Sequence, residues 1–61
     1  MKRRDLLRHL ESQNCRLVRE GASHSIWENS ANGKRTSVPR HNEINDFTVA
    51  AICRQLEIPK P

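Results

Sequence analysis

The sequence predicts a single α+β domain in the order α-β-β-β-α, with two helices packed on one face of a three-stranded antiparallel sheet. Turn signals at Gly21-Ala22 and Asn32-Gly33, with three short runs rich in Val, Ile, Trp and Thr around them, predict the sheet. The apolar stripes of the two flanking segments predict the helices. Because a chain of 61 residues buries only about 60% of its unfolded surface, any site must be shallow or lie at an interface.

The first helix is predicted over Lys2–Gln13. Leu6, Leu7 and Leu10 recur with helical spacing and form one apolar stripe, while the charged side chains between them fall on wetter faces. Asn14 is expected to end the helix, because asparagine accepts a left-handed backbone more readily than any residue except glycine.

The three strands are predicted over Cys15–Glu20, Ser23–Asn29 and Lys34–Val38, with Pro39 ending the third. In the middle strand Ile26 and Trp27 are adjacent, so their side chains point to opposite faces and only one can lie against the helices. We expect Ile26 to be that residue and Trp27 to stand on the other face. By the same alternation His24 shares the face of Ile26, unless a bulge intervenes at the strand's start.

The second helix is predicted to begin at Asn45 or Asp46, since either can cap a helix N-terminus. Its apolar stripe has the spacing i, i+3, i+4, i+7 and consists of Val49, Ile52, Cys53 and Leu56. Pro59 bars its continuation. No internal repeat or linker interrupts the chain, so residues 1–61 are interpreted as one domain.

The charge balance indicates an anionic partner. The chain carries 11 Lys and Arg against 7 Asp and Glu, a formal net charge of +4. A phosphate backbone is the commonest such partner, although the same charge also serves solubility. The only aromatic residues, Trp27 and Phe47, are too few for a platform that stacks several single-stranded bases.

The two cysteines, the spacing of possible metal ligands and the hydropathy indicate where the protein functions and whether it binds a metal. Cys15 and Cys53 lie in apolar contexts and are expected to be buried free thiols in a reducing compartment. No pair of His or Cys residues has the close spacing of structural zinc ligands, so neither a metal nor another cofactor is expected. No apolar run approaches the length of a membrane span, and a cytoplasmic location is therefore expected.

Four motifs along this layout resemble the HicA family, the small toxins of bacterial HicAB toxin–antitoxin pairs. They are Gly21-Ala-Ser-His24 opening the second strand, the hairpin Asn32-Gly33-Lys34-Arg35, the element Val38-Pro39-Arg40-His41, and the closing segment Ile52-Cys-Arg-Gln-Leu-Glu-Ile58. The resemblance covers essentially the whole chain. Two positions depart from it, because the family often has glycine where this chain has Asn14 and Glu57. Glutamate is harder to place in a left-handed helix cap, so the second helix is expected to end differently here.

The resemblance implies a fold similar to double-stranded-RNA-binding domains and an activity as a ribosome-independent mRNA interferase. His24 corresponds to the family's catalytic histidine. The resemblance also implies a cognate HicB-like antitoxin that binds the basic face and covers His24.

The chemistry of metal-free RNA cleavage agrees with a histidine at this position. The ribose 2′-hydroxyl must lose a proton and the leaving 5′-oxygen must gain one, and imidazole can carry a proton either way near neutral pH. Lys34 and Arg35 on the third strand, with Arg19 on the first, are the cations nearest to His24 by topology and are predicted to bind substrate phosphate. Without the resemblance, His24 would be interpreted as a strand-start residue hydrogen-bonded to its turn.

The remaining candidate residues have either an RNA-binding role or a purely structural one. The cations at the start of the first helix oppose its macrodipole, which a phosphate-facing role would explain, as would simple solvation. His41 is expected to pin its loop to the sheet, to assist His24 or to help position RNA, with the structural role first. His9 is expected on the solvent-exposed surface of the first helix. Ser23 either orients His24 or a phosphate, or hydrogen-bonds its own turn. The predicted RNA contacts are therefore Lys34, Arg35, Arg19, Ser23, Lys2 and Arg3.

Two functions from other classes stay open on these residues. A non-catalytic module that binds structured RNA through shape and phosphate contacts would suit the same fold and charge. A protein-interaction adaptor would neither change the mobility of RNA on a gel nor shorten the RNA.

Overall fold

The computed structural model describes all residues from Met1 to Pro61 and has five elements in the predicted order. They are α1 (Arg3–Ser12), β1 (Cys15–Glu20), β2 (His24–Asn29), β3 (Arg35–Pro39) and α2 (Asp46–Leu56). The strands form one antiparallel sheet in the order β1-β2-β3, so β2 is central. The α+β prediction is confirmed, with small boundary differences: β2 starts one residue later than expected, and Pro39 is the last residue of β3. The similarity to double-stranded-RNA-binding domains stays a prediction.

The core lies between one face of the sheet and both helices, as the apolar stripes predict. It consists of Leu6 and Leu10 from α1, Val49, Ile52, Cys53 and Leu56 from α2, Cys15, Trp27 and Val38 from the sheet, and Ile44 from the loop before α2. Both cysteines are free and buried, as expected. Burial raises the pKa of each thiol, and for Cys15 the nearby Cys53 adds to the rise.

The predicted facing of β2 is wrong in one respect. Trp27 is only 5% exposed and belongs to the core, on the same face as the buried Ser25 and Asn29, whereas Ile26 is partly exposed on the face that no helix covers. Ile26 and Trp27 do point to opposite faces of the sheet, as predicted, but Trp27 and not Ile26 lies against the helices. The physical reason is area, because the indole has more apolar surface to remove from water than the isoleucine side chain.

A bulge in β1 decides which charged side chains face which way. The register with β2 shifts between Leu17 and Arg19, so Val18 is the extra residue. After the bulge, Arg19 lies opposite Ile26 on the uncovered face, and Glu20 lies opposite Ser25 on the helix-covered face.

A residue with a left-handed backbone follows each helix within two residues. Asn14 has φ 66°, as predicted. Glu57 has φ 58° and ψ 48°, so glutamate occupies the position that favours glycine, and the expectation of a different helix end is wrong. The Glu57 amide donates to the Arg54 carbonyl and the Ile58 amide to the Cys53 carbonyl, which are the two hydrogen bonds of a Schellman motif.

Asparagine side chains hold both ends of α2. The predicted capping is confirmed for Asn45, whose side chain accepts a hydrogen bond from the Thr48 amide at 2.9 Å. At the other end the buried Asn29 amide donates to the Leu56 carbonyl at 2.8 Å. Central strand and helix are thereby tied at a carbonyl that the helix itself leaves unpaired. Neither helix has the length and apolar character that crossing a bilayer requires.

Candidate active site

His24 stands at the end of the sheet, as the first residue of β2. The Gly21 amide donates to the His24 carbonyl at 2.7 Å and closes the three-residue connection Gly21-Ala22-Ser23 between β1 and β2. A Cβ on Gly21 would lie 2.8 Å from that carbonyl oxygen, so glycine is needed for this close approach. Pro39 faces His24 across the β2–β3 ladder.

The His24 side chain is exposed and has no hydrogen-bond partner within the chain. Of the three histidines only His9 makes a side-chain hydrogen bond, so the turn does not engage the His24 ring. By strand alternation the ring belongs to the face with Ile26 and Glu28, which the helices leave open. An imidazole placed in this way can exchange a proton with a molecule bound against the sheet.

Arg19 is the predicted phosphate-binding residue that the fold brings to His24. It lies opposite Ile26, so it is a diagonal neighbour of His24 on the open face, about 7–8 Å away between Cα atoms. Its side chain is exposed and forms no ion pair, so its charge is available to a ligand.

Lys34 and Arg35 lie at the opposite end of the sheet. Arg35 pairs with Glu28, four residues along β2 from His24, which is about 13 Å for an extended strand. Its Nε atom forms an ion pair with a Glu28 carboxylate oxygen at 3.0 Å, and Lys34 Nζ lies 3.9 Å from the Glu57 carboxylate. The sequence therefore placed these cations on the correct hairpin but too close to His24.

Glu28 lies between two arginines on the open face. Arg16 Nη2 and Arg35 Nε each lie 3.0 Å from one of its carboxylate oxygens, and its side chain is only 13% exposed. Hydrogen bonds from Arg35 and then from Arg16 lower the pKa of Glu28 below its usual 4.5, against the opposing effect of burial. This enclosed ion triplet joins all three strands.

A second polar network lies next to His24 on the helix-covered side. The buried Ser25 hydroxyl donates to Glu20 Oε1, and Arg40 Nη2 donates to the same oxygen at 3.0 Å. Arg3 Nη2 donates to Ser25 Oγ at 2.9 Å, and Arg3 Nε to the Pro39 carbonyl at 2.8 Å. The hydrogen bond from Ser25 is the main cause of a lowered Glu20 pKa, and the charges of Arg40 and Arg3 act in the same direction. The network fixes α1 and the ends of all three strands around His24.

The other sequence candidates divide between free and engaged side chains. Ser23 and His41 are exposed and make no side-chain hydrogen bond. His41 therefore has no hydrogen bond that would hold its loop against the sheet. Lys2 is exposed, with Nζ 3.9 Å from Glu43. His9 lies on the surface of α1 and is partly buried, and its Nε2 lies 2.7 Å from the Pro59 carbonyl oxygen, a contact that the sequence does not predict.

A shallow basic hollow opens beside the start of α1. It has a volume of about 390 Å³ and is lined by Lys2, Arg3, Arg4, Leu7 and Asn42. Nowhere in the chain do three His, Cys, Asp or Glu side chains converge as metal ligands would. The concavities of this surface are open, as the size of the chain predicts.

Sequence reasoning missed Glu20, Ser25 and Arg40 as members of the site region. Glu20 directly precedes the Gly21 turn and Arg40 directly follows Pro39, so the hairpin register brings both to the end of the sheet that carries His24. The bulge that turns Glu20 towards Ser25 had only a weak signal, the break in alternation at Val18.

Residues 3–58 of the chain match the family model described as HicA toxin of bacterial toxin–antitoxin. The match covers both helices and the whole sheet. Neither the curated proteins nor the solved structures give a significant match.

Proposed function

The chain belongs to the HicA family of bacterial toxin–antitoxin toxins, and from this premise we propose that it is a metal-independent endoribonuclease that cleaves mRNA. In this proposal the exposed imidazole of His24 transfers a proton during cleavage. Loss of mRNA then stops translation until the cognate antitoxin neutralises the toxin.

The observation that carries the proposal is the setting of His24. Its ring is exposed, has no partner within the chain, and lies on the open sheet face beside the unpaired cation of Arg19. Proton transfer needs an imidazole that the substrate can reach, and phosphate binding needs a cation that no carboxylate occupies. Both conditions are met at one end of the sheet.

The reaction proposed is attack by the ribose 2′-hydroxyl on its own 3′-phosphate. His24 takes the hydroxyl proton or protonates the 5′-oxygen as the P–O bond breaks, and Arg19 stabilises negative charge on the phosphate. One histidine cannot fill both proton-transfer roles in a single step, so slow turnover is expected. His41, exposed on the loop after β3, is the candidate for an auxiliary role.

The other predicted contacts would bind RNA away from the cleaved bond. Lys34 and Arg35 stand about 13 Å along the strand from His24, so in this proposal they hold phosphates further along the chain. Lys2, Arg3 and Ser23 flank the end of the sheet that carries His24, from α1 and from the β1–β2 connection.

Membership of a toxin–antitoxin family implies a cognate antitoxin. We propose that this partner is HicB-like and binds the open, arginine-rich face so that it covers His24. Its complex would then dissociate more readily at high salt, since exposed charge pairs are screened beyond a few ångströms in concentrated salt.

The test compares purified wild type with His24→Ala on a defined RNA in the presence of a metal chelator. The wild type is expected to shorten the RNA, and the variant to be slower by about 10²- to 10⁴-fold, the usual contribution of a general acid or base. Arg54→Ala is the control for a surface change, because Arg54 is exposed on α2 and forms no ion pair. Undiminished cleavage by His24→Ala would reject the assignment, and RNA that is bound but keeps its length would favour the non-catalytic module.

A further inference from the structure

We infer that Arg40 and the Ser25 hydroxyl form a phosphodiester-binding subsite next to His24, which the Glu20 carboxylate occupies in the free protein. In this account a phosphate of the bound RNA displaces Glu20 from Arg40. The inference rests on the proposed function and adds to it a binding position and a competing group within the chain.

The geometry is that of an occupied anion site. Two donors, Ser25 Oγ on β2 and Arg40 Nη2 directly after β3, converge on one carboxylate oxygen, Glu20 Oε1. Arg3 Nη2 donates to Ser25 Oγ at 2.9 Å, so the hydroxyl hydrogen is directed at the anion and cannot turn towards Arg3. A guanidinium and a hydroxyl aimed at one oxyanion also suit a phosphate oxygen.

Exposure distinguishes Glu20 from the other bridging carboxylate of the sheet. The Glu28 side chain is 13% exposed between two arginines, whereas the side chains of Glu20 and Arg40 are 52% and 45% exposed. A carboxylate that is 13% exposed between two guanidinium groups has little room to rotate away from them, whereas one that is half exposed can rotate into water. Glu20 is therefore the carboxylate that a ligand can replace.

The subsite and the His24 ring lie on opposite sides of the same end of the sheet. Ser25 follows His24 directly in β2, but successive side chains of a strand point to opposite faces, so the imidazole and the Ser25 hydroxyl lie on different sides of the sheet end. Arg40 follows Pro39, the residue opposite His24. RNA passing around this end would place its cleaved bond at His24 and a neighbouring phosphate at Arg40.

The test measures binding of a short single-stranded RNA in a His24→Ala background, where cleavage does not interfere. Glu20→Gln is expected to tighten binding by about two- to fivefold, since it removes an exposed carboxylate that competes for Arg40. Arg40→Ala is expected to weaken binding and to reduce the slope of log affinity against log salt by about 0.7, the value for one phosphate contact on a single strand. The Tm of each variant, measured by thermal unfolding, is the control that the fold is kept.

Matched controls separate local competition from net charge. Glu11→Gln changes the net charge by the same amount as Glu20→Gln, from an exposed position on α1 that forms no ion pair, and Arg54→Ala serves in the same way for Arg40→Ala. The decisive comparison is Glu20→Gln in the Arg40→Ala background, where the tightening is expected to disappear.

Two outcomes would overturn the inference. One is a Glu20→Gln effect equal to that of Glu11→Gln, and the other is a tightening that persists without Arg40. Failure of the proposed function is distinguishable, because it would appear as an absence of RNA cleavage by the wild type.

Discussion

Replacing Glu57 with glycine should stabilise the protein, because the backbone at this position is left-handed. Its φ of 58° and ψ of 48° place a β-carbon against the following carbonyl, which costs an L-residue about 1–2 kcal/mol. Glycine avoids that cost but gains freedom in the unfolded chain, which returns roughly 0.4–1 kcal/mol of the benefit. The expected net gain is about 0.5–1 kcal/mol, or a rise in Tm of about 2–8 °C for a domain of this size.

Glu57→Ala is the control that isolates the backbone effect. Both substitutions remove the exposed Lys34 ion pair at 3.9 Å and the negative charge at the C-terminus of α2, but only glycine relieves the left-handed strain. The assay is urea unfolding followed by Trp27 fluorescence, since the indole is buried in the core. A Glu57→Gly variant no more stable than Glu57→Ala would refute the reasoning, because strain at this residue would then have no measurable cost.

Three further predictions concern acid stability, the turn and the substrate. Folding lowers the pKa of Glu20 and Glu28, so these carboxylates stabilise the protein at pH values above their usual pKa of 4.5. That stabilisation is lost as the pH falls through their lower pKa values in the folded state. Urea unfolding at neutral pH and at about pH 3 should therefore show a weaker pH dependence of stability for Glu28→Gln than for wild type. Gly21→Ala, whose Cβ would lie 2.8 Å from the His24 carbonyl oxygen, should slow RNA cleavage by about ten- to a hundredfold because the start of β2 must move, and unchanged cleavage at equal protein concentration would contradict this. An RNA with one 2′-deoxyribose at the cleaved position should stay intact at that bond in a gel assay, whereas equal cutting of both RNAs would exclude attack by the 2′-hydroxyl.

Periodicity gave the elements of this fold but could not choose between the two faces of β2. Alternation correctly separates Ile26 from Trp27, yet the choice of the buried one depends on which side chain fills the space against the helices. Local propensity likewise disfavours glutamate at the left-handed end of α2. The Schellman hydrogen bonds and the packing of Ile58 against the core override that preference at Glu57.

The candidate site was predictable only as far as the motifs extend. His24 was predicted through the resemblance of the Gly21-Ala-Ser-His24 motif to the HicA family, and Arg19 through its place on the neighbouring strand. The distance of Arg35 from His24 follows from strand register, and the facing of Glu20 follows from the bulge at Val18. Both features depend on how the strands pair, so they cannot be predicted from the sequence of each strand by itself.

The central claim is that the exposed imidazole of His24 carries the proton in RNA cleavage. The most direct measurement is the cleavage rate of His24→Ala on a defined RNA, in chelator, with and without free imidazole in the buffer. Because the ring is exposed, added imidazole can enter the space that it leaves, and we predict that the rate rises with imidazole concentration in this variant while the wild-type rate does not. A variant that cleaves at the wild-type rate without imidazole, or one that imidazole never restores, would contradict the claim.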